Sequence, residues 1–213
     1  MLPPAPTPIF RIMHLRNLPG VVASGRLFCE NQRQSSGQDW KSIAHQNIQG
    51  RRHGKQVTCG PGGTVCDYVP WYYAPRSPML FAHHKGNVPG NTEGQVPLIY
   101  FRSSIQRVVE EGLPFVFTDG HAIMEKSKFF DDLSSLGRID WPLMNARYWK
   151  DTDEDPDRCR RRQAEFLVYG SFPFSLVQEI VVFNSEILAE AQKCLQGIAF
   201  PPIIRMNKNW YFE

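Results

Sequence analysis

"RRRQAEFLVYG", residues 160–170, is the stretch on which the reading of this chain turns. Three arginines lead through Gln163 and Ala164 to Glu165, and an apolar run starts at once. A strand here puts Glu165, Leu167 and Tyr169 on one face and Phe166 and Val168 on the other. A carboxylate that shares a face with a leucine must be paired, hydrogen-bonded or lodged in a polar cleft. Two placements stay open on pattern alone. Glu165 is an edge carboxylate balanced by Arg160, Arg161 and Arg162, or it points into a site.

Further strands flank this one. Ile9–His14 reads as a short entry strand, Pro97–Arg102 as another, and "LPFVFTDGH" (113–121) as a strand ending in a turn. "QEIVVFN" (178–184) is a fourth, and "IIRMNKNWYF" (203–212) closes the chain with one or more strands. Helices are expected in "RNLPGVVASGRL" (16–27), stopped by Gly25, and in "SSIQRVVEEG" (103–112), with Ser103 as cap and Gln106 three residues on. They are also expected in "KFFDDLSSLG" (128–137), "DWPLMNARYW" (140–149) and the amphipathic "SEILAEAQKCLQG" (185–197). Residues 31–67 lack periodicity, apart from a short helix around Ile43–Ile48, and read as a binding loop, a lid or a disordered segment. The strands form no regular βαβ series, so the class is α+β, in one domain spanning 1–213.

With 213 residues, 42% of them hydrophobic, the chain can bury one sizeable core. No apolar run approaches membrane-spanning length, and the N-terminus does not read as a signal peptide. The five cysteines are odd in number and form no C-x-x-C pair. This argues against a disulfide framework or thiolate zinc site and for a reducing cytoplasm. Charge is uneven: residues 1–92 hold ten Lys/Arg against three Asp/Glu, and residues 93–213 hold fourteen against eighteen. The basic half either faces a polyanion or is an ordinary solvated surface.

"GPGG" (60–63) lacks the lysine and the following helix of a phosphate loop, and reads as a turn. The six histidines show no metal-ligand spacing, so no metal is expected. "WYYAPRSPML" (71–80) gathers Trp71, Tyr72, Tyr73 and Arg76. It is either a stacking platform for a planar ring beside an anion or an aromatic corner stiffened by prolines. Arg51 and Arg52 are either solvated or phosphate-binding.

Taken together, "PTPIFRIMHLRNLPGVVASGRL", "IAHQNIQGRR", "PGGTVCDYVPWYYAPRSPML", "GLPFVFTDGH", "RRQAEFLVYGSFP" and "NWYF" resemble the DarT-type DNA ADP-ribosyltransferases, toxins of bacterial toxin–antitoxin pairs. The resemblance covers nearly the whole chain. It implies the ADP-ribosyltransferase fold, a split, curved mixed β-sheet with peripheral helices and long loops, with NAD as co-substrate in its cleft. It implies transfer of ADP-ribose to a base of single-stranded DNA, and the chain looks closer to the branch that modifies thymine at N3 than to the guanine branch. A macrodomain antitoxin is the implied partner, and a monomer without membrane contact the implied state. Glu165 matches the catalytic glutamate and Arg52 the active-site arginine. Arg11, Met13 and His14 of the entry strand, with Tyr72, Tyr73 and His121, are the implied NAD contacts. Lys41, Arg51, Lys55 and Arg76 are the candidates for holding DNA. Where relatives often read "YHITH", this chain reads "FRIMH" (10–14), so Arg11 and Met13 are departures. Transfer to guanine, RNA or protein, and a catalytically silent nucleic-acid-binding module, are the rival readings.

Overall fold

The computed structural model describes residues 3–37 and 39–213. In chain order the elements are β1 (Pro8–His14), α1 (Leu18–Ser24), β2 (Arg26–Phe28), α2 (Glu30–Ser36), α3 (Gln46–Gly54) and β3 (Tyr68–Tyr72). Next come α4 (Pro78–His84), β4 (Leu98–Ser104), α5 (Ile105–Glu110), β5 (Phe115–Thr118) and β6 (Phe129–Phe130). Then follow α6 (Trp141–Met144), α7 (Arg158–Arg162), β7 (Glu165–Tyr169), β8 (Ser171–Pro173), β9 (Glu179–Val182), α8 (Ser185–Cys194) and β10 (Ile203–Met206).

Eight strands form one sheet in the order β10-β9-β4-β1-β3-β7-β5-β6, and β2 pairs with β8 in a separate ribbon. Only the β9–β10 pairing is parallel, so the sheet is mixed. The sheet is split in the middle. β1 runs in register with β4 along its whole length, from Pro8↔Ser104 to His14↔Leu98, but meets β3 at Phe10↔Tyr72 alone. Beyond that pair the two strands part, and the cleft opens between them.

This split explains how a proline sits inside a central strand. Pro70 lies mid-β3 and pairs with Leu167 of β7. A proline removes a ladder donor and is confined to edges. Pro70 O accepts from Arg11 Nη1 at 2.8 Å, so this side of Pro70 faces the open cleft rather than a paired strand. The missing N–H therefore costs no ladder bond.

Strand alternation sorts the side chains into layers. Val69, Trp71, Phe166 and Val168 join the large core with Ile9, Phe101 and Phe172. Trp71 and Phe172 lie 4.4 Å apart by ring centroid, a pair worth about 1 kcal/mol beyond its buried area. On the opposite face Tyr68, Leu167, Val65 and Val116 form a smaller cluster that floors the cleft.

Several expectations change. Residues 31–67 hold two helices and an isolated bridge, Gln56↔Thr64. Helix α3 has no buried residue, so it carries no apolar stripe to read. "KFFDDLSSLG" is not an α-helix. Phe129 and Phe130 pair with Thr118 and Phe117 as β6, and Asp132 then caps a 3-10 turn over Leu133–Arg138. The cap of α5 is Ser104, because the hydroxyl of Ser103 donates to Leu176 O, and Gln106 accepts from Thr7 N. The aromatic segment at 68–72 is the central strand β3. No helix among the described residues is long and apolar enough to cross a membrane.

Candidate active site

Glu165 opens β7 opposite Tyr72 of β3, at the end of the sheet where the cleft lies. It is 1% exposed. Its carboxylate accepts from Arg52 Nη1 at 2.9 Å through Oε2 and 3.2 Å through Oε1. Oε1 also accepts from Ala122 N at 3.0 Å. The Glu165 N–H donates to Thr118 Oγ1, whose own hydroxyl donates to Gly120 O. The carboxylate is thus held from two sides, by the last turn of α3 and by the turn after β5.

That turn is shaped by close approach. A Cβ on Gly120 would stand 2.2 Å from Arg160 Nη1. Arg160 bonds Ser127 Oγ and pairs with Asp119, and its carbonyl accepts from His121 N. The glycine leaves room for the Arg160 guanidinium against the loop that supplies Ala122 N.

The cleft, counted with the open solvent at its mouth, spans about 860 Å³. Its walls bring together Glu165, Arg52, Tyr72, His121, Arg11 and Met13. Burial would lower the Arg52 pKa, but the Glu165 carboxylate outweighs it and raises it. Burial, with Arg33 and Arg52 adding repulsion, holds Arg11 down at about 10. Burial also raises the Tyr72 hydroxyl and lowers His121, with Glu165 opposing the shift at His121. Burial pushes each of the five thiols up, Cys66 to about 11, and all five are free. Cys66 therefore lines the cleft as a neutral thiol, not a nucleophile.

Arg33, Glu30 and Trp40 also line this cleft and escaped the sequence reading. Arg33 is ion-paired with Glu30 and lies 4.4 Å over the Trp40 ring. Their signal was hidden in a segment without periodicity. Arg11 Nε, Arg33 Nε and Arg52 Nη2 are buried with no hydrogen-bond partner. Of these, Arg11 and Arg33 have spare donors that fit an anionic, acceptor-rich group such as the diphosphate of NAD. No metal-ligand cluster is present among the described residues.

Other candidates stand elsewhere. Tyr73 is buried in the core, edge-on to Trp141 at 5.4 Å, because alternation along 68–73 turns it away from the Tyr72 face. His14 is 7% exposed and does not line the cleft; its Nδ1 accepts from Arg16 N and its Nε2 meets Glu93 at 3.1 Å. Lys41 reaches the same Glu93 at 3.8 Å. Arg51 and Lys55 extend toward the carbonyls of Ile123 and Met124. Arg76 lies outside this cleft, stacked 4.6 Å over Phe212.

The sequence model of the family described as "ssDNA thymidine ADP-ribosyltransferase, DarT" matches residues 10–212. The chain belongs to the DarT family.

Within that family the chain is 41% identical over 211 residues to the DNA ADP-ribosyl transferase of Thermus sp. (strain 2.9), covering 98% of each chain. The structure superposes on Thermus sp. 2.9 DarT in complex with ADP-ribosylated ssDNA with a TM-score of 0.92, at 40% identity, over 100% of this chain and 99% of that one. It superposes on the complex of the same DarT with NAD+ with a TM-score of 0.89, at 38% identity, over 99% and 100%. The split mixed sheet is the DarT fold. The chain is accordingly an NAD-dependent ADP-ribosyltransferase.

Proposed function

We propose that this chain transfers ADP-ribose from NAD to N3 of thymine in single-stranded DNA, within a short sequence context. The observation that carries the proposal is the buried Arg52–Glu165 pair on the wall of the cleft, in a chain that matches DarT over residues 10–212. Residues 1–213 act as one domain in this reading.

Glu165 has two tasks. Breaking the nicotinamide–ribose bond builds positive charge at C1′. A fixed carboxylate held by Arg52 and Ala122 N stabilises that charge without having to reorganise. Thymine N3 is a poor nucleophile while protonated. As the N3–C1′ bond forms and the bond to nicotinamide breaks, the N3 proton passes to Glu165. Arg52 stabilises the negative charge that grows on the thymine carbonyls, using the buried Nη2 that has no protein partner. Arg11, Met13, Tyr72 and His121 hold NAD. N3 is hidden by Watson–Crick pairing, which is why a single strand suits the reaction. In this reading Lys41, Arg51 and Lys55 hold the DNA backbone. The partner that reverses the modification is a macrodomain antitoxin.

The test is incubation with NAD and an array of single-stranded oligonucleotides, read by mass. One ADP-ribose added to thymine-containing strands alone is the expected result. Addition to guanine-only strands overturns the base assignment. Addition to RNA or protein but not DNA overturns the substrate class.

A further inference from the structure

The three arginines that precede Glu165 have different fates. Arg160 is tied to Asp157 and Asp119, and Arg161 to Asp155 and Asp140. These two fasten the acidic loop to the body. Among the described residues Arg162 forms no ion pair with a carboxylate. It is 4% exposed, yet its guanidinium reaches only Pro75 O at 2.6 Å and Met144 Sδ at 3.7 Å, and its Nε has no partner. A buried cation without a counter-charge is costly.

Arg162 lines a second, open cleft together with Arg76 and Arg147. Arg76 Nη1 donates to Tyr211 O at 3.0 Å, and its Nε is buried without a partner. Arg76 also has φ +58°, a left-handed conformation that a non-glycine side chain rarely adopts. Such strain concentrates where a side chain is aimed for function. Arg147 is exposed at the mouth. Asn145 and Asn209 add amides, and Glu213 is the one acidic residue in the lining. Burial holds the Arg162 guanidinium down at about 10, with Tyr100 opposing and Arg76 adding to the shift, so it stays charged at neutral pH.

The two clefts are lined by residues close together along the chain. Arg162 is three residues from Glu165, so their Cα atoms are at most about 11 Å apart. Pro75 and Arg76, on the second cleft, follow Tyr72, on the first, by three and four positions.

We propose that Arg162, Arg76 and Arg147 form a subsite for a backbone phosphate of the single-stranded DNA, next to the nucleotide that carries the target base. The proposal rests on the DNA-directed reading above. A phosphodiester gives Arg162 the anion that the protein does not supply, and planar guanidiniums suit phosphate oxygens. One anchored phosphate beside the target fixes which base reaches Glu165.

The test measures binding of a fluorescent, single-thymine oligonucleotide by anisotropy. Each phosphodiester is replaced in turn by a neutral methylphosphonate, and the salt dependence is recorded. In the unaltered protein, neutralising one or two linkages beside the thymine weakens binding at least about 5-fold. In Arg162→Met and in Arg147→Ala that penalty shrinks at least about 2-fold, and the slope of log K against log salt becomes shallower by up to about 0.7, the share of one phosphate. Arg147 is exposed, so its variant keeps the test valid if Arg162→Met fails to fold. An unchanged linkage profile and slope in the folded variants overturns the proposal. So does weakened binding of inorganic phosphate with the linkage profile unchanged, which marks a free-phosphate site. Loss of transfer with the linkage profile intact removes the thymine-transfer reading and leaves this subsite standing.

Discussion

A single nitrogen of Arg52, Nη1, reaches both carboxylate oxygens of Glu165, at 2.9 and 3.2 Å, while the other terminal nitrogen, Nη2, is buried with no partner. The arginine both fixes the carboxylate and keeps a donor in reserve. Glu165→Gln keeps the shape but removes the charge. Transfer should fall about 10²-fold or more, read as oligonucleotide mass shift, while NAD and DNA titrations stay within a few-fold of the parent. Undiminished transfer would sink the catalytic assignment.

Arg52→Ala leaves Glu165 buried beside an empty space. Breaking a buried pair costs about 3–5 kcal/mol, so the urea midpoint should drop clearly. Transfer should fall more than DNA retention. An equal fall of both in a filter-binding comparison makes Arg52 a phosphate anchor instead. Arg52→Lys restores charge but not the planar fork, and should be intermediate on both scales.

Acid stability should depend on Arg160. Its hydrogen bonds pull the Asp157 carboxyl down to about 2. A carboxyl lowered in the folded state adds stability above its unfolded pKa of about 3.9 and loses it as pH falls toward the folded value. The urea midpoint should therefore decline between about pH 4 and pH 2. In Arg160→Ala that part of the decline should shrink, and an identical profile would remove Asp157 as its source.

Tyr72 and Tyr73 should separate cleanly. The Tyr73 hydroxyl is buried without a partner, so Tyr73→Phe should leave transfer unchanged and hold or raise stability by about 1 kcal/mol. Tyr72→Ala should raise KM for NAD several-fold. A Tyr73→Phe protein with a raised KM would return Tyr73 to the cofactor wall.

Much of the sheet is legible in the sequence. The alternation in "AEFLVY" is the one the strand adopts: Leu167 sits with Tyr68 under the cleft, while Phe166 and Val168 enter the large core. Gly25 stops α1 in a left-handed conformation, at φ +65°, as its position suggests. The departures have identifiable reasons. Helices α2 and α3 carry little or no buried apolar stripe, so periodicity could not announce them. "KFFDD" mimics a helix start, but the Phe117–Phe130 stack, with centroids 5.3 Å apart, pulls it into the sheet. Tyr73 looks like a neighbour of Tyr72 in function because pattern cannot say which face of an unrecognised strand is the cleft.

Sequence by itself determined the strands β1, β4, β5, β7 and β9, the two faces of β7, and the presence of a carboxylate where an apolar side chain belongs. Local steric rules and alternation act between near neighbours, so a single chain displays them. Only the tertiary structure decided what that carboxylate meets. Arg52 is 113 residues away along the chain and Ala122 is 43 away. It decided likewise that Arg160 and Arg161 are tethers while Arg162 is not. Such pairings are set by how the sheet splits and where the loops return, and a charge in a sequence does not name its partner.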